Sequence, residues 1–126
     1  MSGLSRDGKL SYIQVPAVDA RDSARFYAEV FGWSTRAGSA DHVSFEDASG
    51  ELIGAWVTGR QIITEPGVLP YIYVNAIDQV LEKITASGGE IVKPTFDEGG
   101  EGRLWVALFR DPAGNTMGLW KMGPRE

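Results

Sequence analysis

The sequence predicts an α+β chain built from two tandem βαβββ modules. Three observations predict it: an internal repeat, a strand-then-helix punctuation that recurs in each half, and hairpin turns of the same D-x-x-G form. Residues 12–19 read YIQVPAVD and residues 71–78 read YIYVNAID, identical at five of eight positions. Residues 45–59 read FEDASGELIGAWVTG and residues 109–123 read FRDPAGNTMGLWKMG, identical at six of fifteen. The offsets are 59 and 64 in the same chain order, so the second copy carries about five extra residues between its paired segments. The glycine-rich stretch Glu98-Gly99-Gly100-Glu101-Gly102 is their natural place. Module 1 is expected at about 9–58, a linker at 59–69 and module 2 at about 70–121, all within one domain spanning 9–121.

Each module opens on a strand. Ile13 and Val15 alternate with Tyr12 and Gln14, the period-two pattern of a strand with two unlike faces. Asp19 offers a side-chain acceptor to the free N–H groups of a helix start, and Asp78 is expected to do the same. Between Asp19 and Phe31, the residues Ala20, Ala24, Tyr27, Val30 and Phe31 share one helical side, and Arg21, Asp22, Arg25 and Glu29 share the other. Gly32 ends this helix, because glycine readily takes the left-handed conformation of a helix terminus. A second helix at about 79–87 buries Val80, Leu81 and Ile84 and stops at Gly88-Gly89. Three strands follow each helix, at about 33–38, 42–47 and 51–58, then at about 90–94, 103–110 and 115–121. Asp47-Ala48-Ser49-Gly50 and Asp111-Pro112-Ala113-Gly114 close the last hairpin of each set. The strand face turned away from its helix starts at Tyr12 or Tyr71 and ends at Gly54-x-Trp56 or Gly118-x-Trp120, and two such sheets can curl into a cup-shaped half-barrel fit for a ligand.

Composition narrows the function. The net charge is −5, from 12 basic and 17 acidic residues, which argues against a nucleic-acid binder and mildly favours cationic ligands. No apolar run approaches the ~20 residues of a membrane span, and residues 1–10 lack the apolar core of a secretory signal. With no cysteine there is no disulfide, thiol nucleophile or thiolate metal site, and a cytoplasmic location without membrane attachment is expected. No G-x-x-x-x-G-K loop, G-x-S-x-G turn or H-E-x-x-H helix is present.

The pattern Tyr12-x-x-Val15-x-x-x-Asp19, followed by Phe26-Tyr27-x-x-Val30-Phe31-Gly32-Trp33, resembles the opening of vicinal oxygen chelate proteins, the glyoxalase, bleomycin-resistance and extradiol dioxygenase fold. Asp111-Pro112-x-Gly114-Asn115-x-x-Gly118-Leu119-Trp120 resembles their closing hairpin, and the likeness covers about residues 9–121. Metal-dependent members hold a divalent ion on histidine and carboxylate ligands, two from each module. The resemblance puts those positions at Tyr12, Gly54, Tyr71 and Gly118. Glycine has no donor, a neutral phenol is a poor one, and the chain has a single histidine, so no metal and no other cofactor is expected. The resemblance also implies a homodimer.

The expected ligand-binding residues are Tyr12, Gln14, His42, Trp56, Tyr71, Tyr73 and Trp120, with Gly54 and Gly118 leaving room beside the tryptophans. The rings suit a planar or partly cationic compound; equally, they could fill the cup as core. Gln14 would orient a polar group, and His42 is the one side chain with an unperturbed titration near neutrality, although a surface place is the commoner one for such a residue. Glu46 and Asp47 are expected to be solvated at a hairpin, and Phe96–Arg103 to be an exposed loop that could serve as a lid. Together these features predict a metal-free small-molecule-binding protein with an aromatic cup, sequestering an aromatic or cationic compound. The alternative is a glyoxalase-like lyase, isomerase or dioxygenase acting on a small organic substrate, with no catalytic residue assigned.

Overall fold

The structure, a computed structural model, describes residues 4–125. Its elements follow the order β1 (Tyr12–Pro16), α1 (Ala20–Phe31), β2 (Ser34–Thr35), β3 (His42–Glu46), β4 (Ile53–Val57), β5 (Tyr71–Tyr73), α2 (Ile77–Ala86), β6 (Glu90–Asp97), β7 (Leu104–Arg110) and β8 (Thr116–Met122). This is βαβββ twice. The chain divides into two compact units after Ile62. Each holds one mixed four-stranded sheet, ordered β1-β4-β3-β2 in the first and β5-β8-β7-β6 in the second, with the first and last strands of each module parallel neighbours.

In the first unit Asp19 caps α1 as expected, accepting from the Arg21 backbone N–H at 3.0 Å, and Gly32 closes it with φ 72°. The buried side of α1 consists of Ala20, Ser23, Ala24, Phe26, Tyr27 and Val30, so Phe26 joins the expected stripe while Phe31 is only half-buried. The core beneath is aromatic. Tyr27 stacks on Trp33 at 4.8 Å and on Trp56 at 5.4 Å, and Phe45 lies 4.9 Å from Trp33 and 4.5 Å from Trp56. Offset stacking of this kind adds to the stabilisation that burial alone supplies. The strand expected at 33–38 shrinks to Ser34–Thr35, because the Ser39–His42 bridge turns the chain and packs Gly38 against the His42 carbonyl.

In the second unit α2 lacks the expected cap. Its N-cap position is Ala76, with no side-chain bond; Asp78 lies inside the first turn and instead accepts from Thr95 Oγ1 and from the Arg125 guanidinium. Starting two residues earlier than expected, α2 buries Ile77, Leu81 and Ile84, while Val80 is half-buried. The β7–β8 turn is fastened by polar groups. Asp111 Oδ1 accepts from the backbone of Ala113, Gly114 and Asn115. Asn115 donates to Asp111 Oδ2 and accepts from the Ile63 N–H, which ties the middle of the expected linker to this turn.

The two copies differ by one residue in register. In the second unit five residues, 111–115, separate the last β7–β8 partners, Arg110 and Thr116, whereas in the first unit six residues, 47–52, separate Glu46 from Ile53. The backbone shows the same slip: the Pro70 carbonyl accepts from Gly118, but the matching Ser11 carbonyl accepts from Ile53 rather than Gly54. Because strand side chains alternate with period two, one residue of slip turns a side chain to the opposite face. Gly54 and Trp56 therefore face α1, while Gly118 and Trp120 face away from α2.

Candidate functional site

The face of the first sheet that points away from α1 is built from two rows running across all four strands. Tyr12 pairs with Ile53, Ile53 with Glu46, and Glu46 with Ser34. The next row runs Gln14, Ala55 and Ser44 and is continued by Arg36, whose backbone N–H donates to the Ser44 carbonyl at 3.1 Å. A cavity of about 220 Å³ opens over this face, lined by Tyr12, Ser34, Thr35, Arg36, Ser44, Phe45, Glu46, Ile53 and Gly54. On this face its chemistry is mixed: the Tyr12 phenol, the Ser34 and Ser44 hydroxyls, one carboxylate, one guanidinium, and the apolar side chain of Ile53. Gln14 Nε2 lies 3.4 Å from the Tyr12 hydroxyl, a long hydrogen bond that leaves both groups open to another partner.

On the second sheet the equivalent face is aromatic and aliphatic. One row runs Tyr71, Gly118, Leu108 and Lys93, and the next runs Tyr73, Trp120, Val106 and Phe96. Tyr73 meets Trp120 edge-on at 4.9 Å, and the Lys93 ammonium sits 3.9 Å above the Phe96 ring. Tyr71 and Tyr73 are each 46% exposed. The expected room beside the tryptophans is taken. A Cβ at Gly118 would lie 2.5 Å from the Tyr71 ring, and one at Gly54 would lie 2.5 Å from the Phe45 ring.

Two expectations about these residues are corrected. Trp56 is not a lining residue: it is 0% exposed and enclosed by Tyr27, Trp33 and Phe45, because the register slip turns it into the core. His42 shares the face of Tyr12 but pairs with Val57 at the far end of β3, outside the residues that line the cavity. Glu46 closes the β3–β4 hairpin as expected; it is half-buried, with its carboxylate beside Gly50 of that turn. Ser34, Arg36, Ser44 and Ile53 were not anticipated. The alternation of His42, Ser44 and Glu46 with the apolar Val43 and Phe45 carried the signal for one of these positions, Ser44. Phe96–Arg103 contains a turn held by the Asp97 carboxylate, which accepts from the Gly100 and Gly102 N–H groups.

The positions where metal-dependent relatives carry ligands do not fit an ion. In the first unit the slip separates the pair, since Gly54 faces the core while Tyr12 faces the cavity, and the residue opposite Tyr12 is Ile53. In the second unit Tyr71 and Gly118 do face each other, but the phenyl ring lies over the glycine. Among the described residues no three histidine or acidic side chains gather into a metal-holding group. No step of any reaction is assigned to a metal.

A duplicated βαβββ chain with an open sheet face in each unit defines a protein of the glyoxalase class. The family profile of the glyoxalase/bleomycin resistance protein/dioxygenase superfamily matches residues 9–119, and the chain belongs to that superfamily. It is 28% identical over 124 residues to CFP32 of Mycobacterium tuberculosis, covering 92% of this chain and 46% of that protein. It is 27% identical over 139 aligned positions to the anthracycline biosynthesis protein DnrV of Streptomyces peucetius, covering 94% of this chain and 49% of that one. The chain thus spans about half the length of these relatives. A glyoxalase/bleomycin resistance protein/dioxygenase family enzyme from Burkholderia phytofirmans shares the fold, with a TM-score of 0.75 at 16% identity over 92% of this chain and 100% of that one.

Proposed function

We propose that this chain binds a small organic molecule without the help of a metal ion, and that the cavity of the first unit is a binding site. The observation that carries the reading is the pair of rows, Tyr12–Ile53–Glu46–Ser34 and Gln14–Ala55–Ser44–Arg36, which puts a ring, hydroxyls and two opposite charges around one concave space. Such a mixture of apolar surface with a few convergent polar groups is what a ligand site needs. On the second unit Tyr71, Tyr73 and Trp120 supply half-open aromatic surface on which a flat or cationic compound would stack, at ~0.5–2 kcal/mol per contact. DnrV is by name a protein of anthracycline biosynthesis, and a flat polycyclic compound suits that second face. The donor-poor ligand positions support the metal-free part of the reading. The family resemblance further supports a homodimer, which sedimentation velocity checks as a species near twice 13.7 kDa.

A thermal-shift panel of aromatic acids, aromatic amines and neutral aromatics tests the binding function. A ligand at about a hundred times its Kd adds ~2.7 kcal/mol, enough to raise the Tm by several degrees. The expected result is stabilisation by at least one class, reduced in Tyr12→Ala. No stabilisation by any class contradicts it.

A further inference from the structure

Glu46, the last residue of β3, and Arg36, which directly follows β2, are opposite charges lining the same cavity without forming an ion pair with each other. Glu46 pairs with Ser34, and Arg36 lies two residues further along, so the two occupy diagonal positions roughly 7–8 Å apart. Neither forms an ion pair among the described residues. The other arginines nearby are engaged: Arg21 donates to the Gly38 carbonyl, and Arg25 bonds Asp22 and Glu29. Arg36 is the cation left to serve the cavity. A guanidinium and a carboxylate left apart across a concave space match a ligand that brings both complementary charges with it.

Resting on the reading that this cavity binds a small molecule, we propose that its ligand is an aromatic zwitterion, of which a free aromatic amino acid is the simplest form. The ammonium meets Glu46, the carboxylate meets Arg36, and the ring lies against Tyr12 and Ile53. Size agrees: at about 220 Å³ the cavity is smaller than the ~300–1,000 Å³ of drug-sized sites and suits a molecule with one ring. The hydroxyls of Ser34 and Ser44, on the same rows, complete the hydrogen bonds of the two charged groups. A ligand with one charge leaves the other protein charge unanswered, so affinity falls when either is deleted.

Calorimetric titration with L-phenylalanine, 3-phenylpropionate and 2-phenylethylamine tests this on the wild-type chain and on Glu46→Gln and Arg36→Gln. Circular dichroism and melting confirm that each variant is folded. The expected result is that L-phenylalanine binds and each single-charge analogue binds about tenfold more weakly or worse. Glu46→Gln then weakens L-phenylalanine and the amine but spares the acid, whereas Arg36→Gln weakens L-phenylalanine and the acid but spares the amine. Equal binding of all three compounds, or indifference to both substitutions, overturns the zwitterion while leaving a small-molecule binder in place. Absence of binding by any aromatic compound, charged or neutral, overturns both.

Discussion

A methyl group added at Gly54 would lie 2.1 Å from the Ile13 carbonyl oxygen, whereas the atoms nearest to one added at Gly118 belong to the ring of Tyr71, which is 46% exposed. Backbone must move in the first case and a free-swinging side chain in the second. Gly54→Ala is therefore expected to cost about 3 kcal/mol, at the upper end of overpacking effects, and Gly118→Ala about 1 kcal/mol or less. Urea denaturation of both variants checks the order; equal costs would mean that the two glycines have equivalent surroundings and would contradict it. The tryptophans two residues later make the same contrast. Trp56→Ala empties the middle of a stacked cluster and is expected to cost about 3–5 kcal/mol, against clearly less for the half-buried Trp120. The Arg25 guanidinium, held protonated by its hydrogen bond to Asp22 with Glu29 beside it, is exposed on the helix, so Arg25→Ala is expected to cost no more than about 0.5 kcal/mol.

The elements rest on a few local devices of unequal strength. Asp19→Ala removes a side-chain cap and is expected to cost about 1 kcal/mol. Asp78 is not the N-cap residue of α2, and Asp78→Ala loses the bonds from Thr95 and from the exposed Arg125. Asn115→Ala is expected to cost about 1–3 kcal/mol, because it leaves the Ile63 N–H and the buried Asp111 carboxylate short of a partner; hydrogen exchange at Ile63 should accelerate with it. Helices, strands and the repeat were legible in the sequence because the apolar periodicity and the D-x-x-G punctuation are local signals. The register slip was not. Both copies have equal length from Phe45 to Gly59 and from Phe109 to Gly123, so nothing in the spacing shows that one turn uses six residues and the other five. Turn chemistry separates them: Asn115 donates to Asp111 in the tight turn, while its counterpart Glu51 gives its backbone N–H to Ser49 Oγ in the wider one. That one residue is why Tyr12, Gln14, Tyr71, Tyr73 and Trp120 lie on faces turned away from the helices as expected, while Trp56 does not. It is also why the cavity drew on Glu46, Ser44 and Ile53, whose roles depend on which strand lies opposite.

Across the whole chain, the superfamily fold is retained while each unit has left its ligand pair in a different way, one by register and one by a ring over a glycine. No described helix is long and apolar enough to cross a membrane. On a chain whose balance is acidic, with a pI near 4.9, Arg36 is the one cation among the residues that line the cavity, although it also borders a separate groove with Arg21 and Arg25. The central claim is that organic ligand binding here needs no metal. Titration of one stabilising aromatic compound into the untagged protein, before and after exhaustive chelation, tests it most directly. An unchanged Kd is the predicted result; binding that disappears with chelator and returns with zinc, manganese, nickel or iron would contradict it.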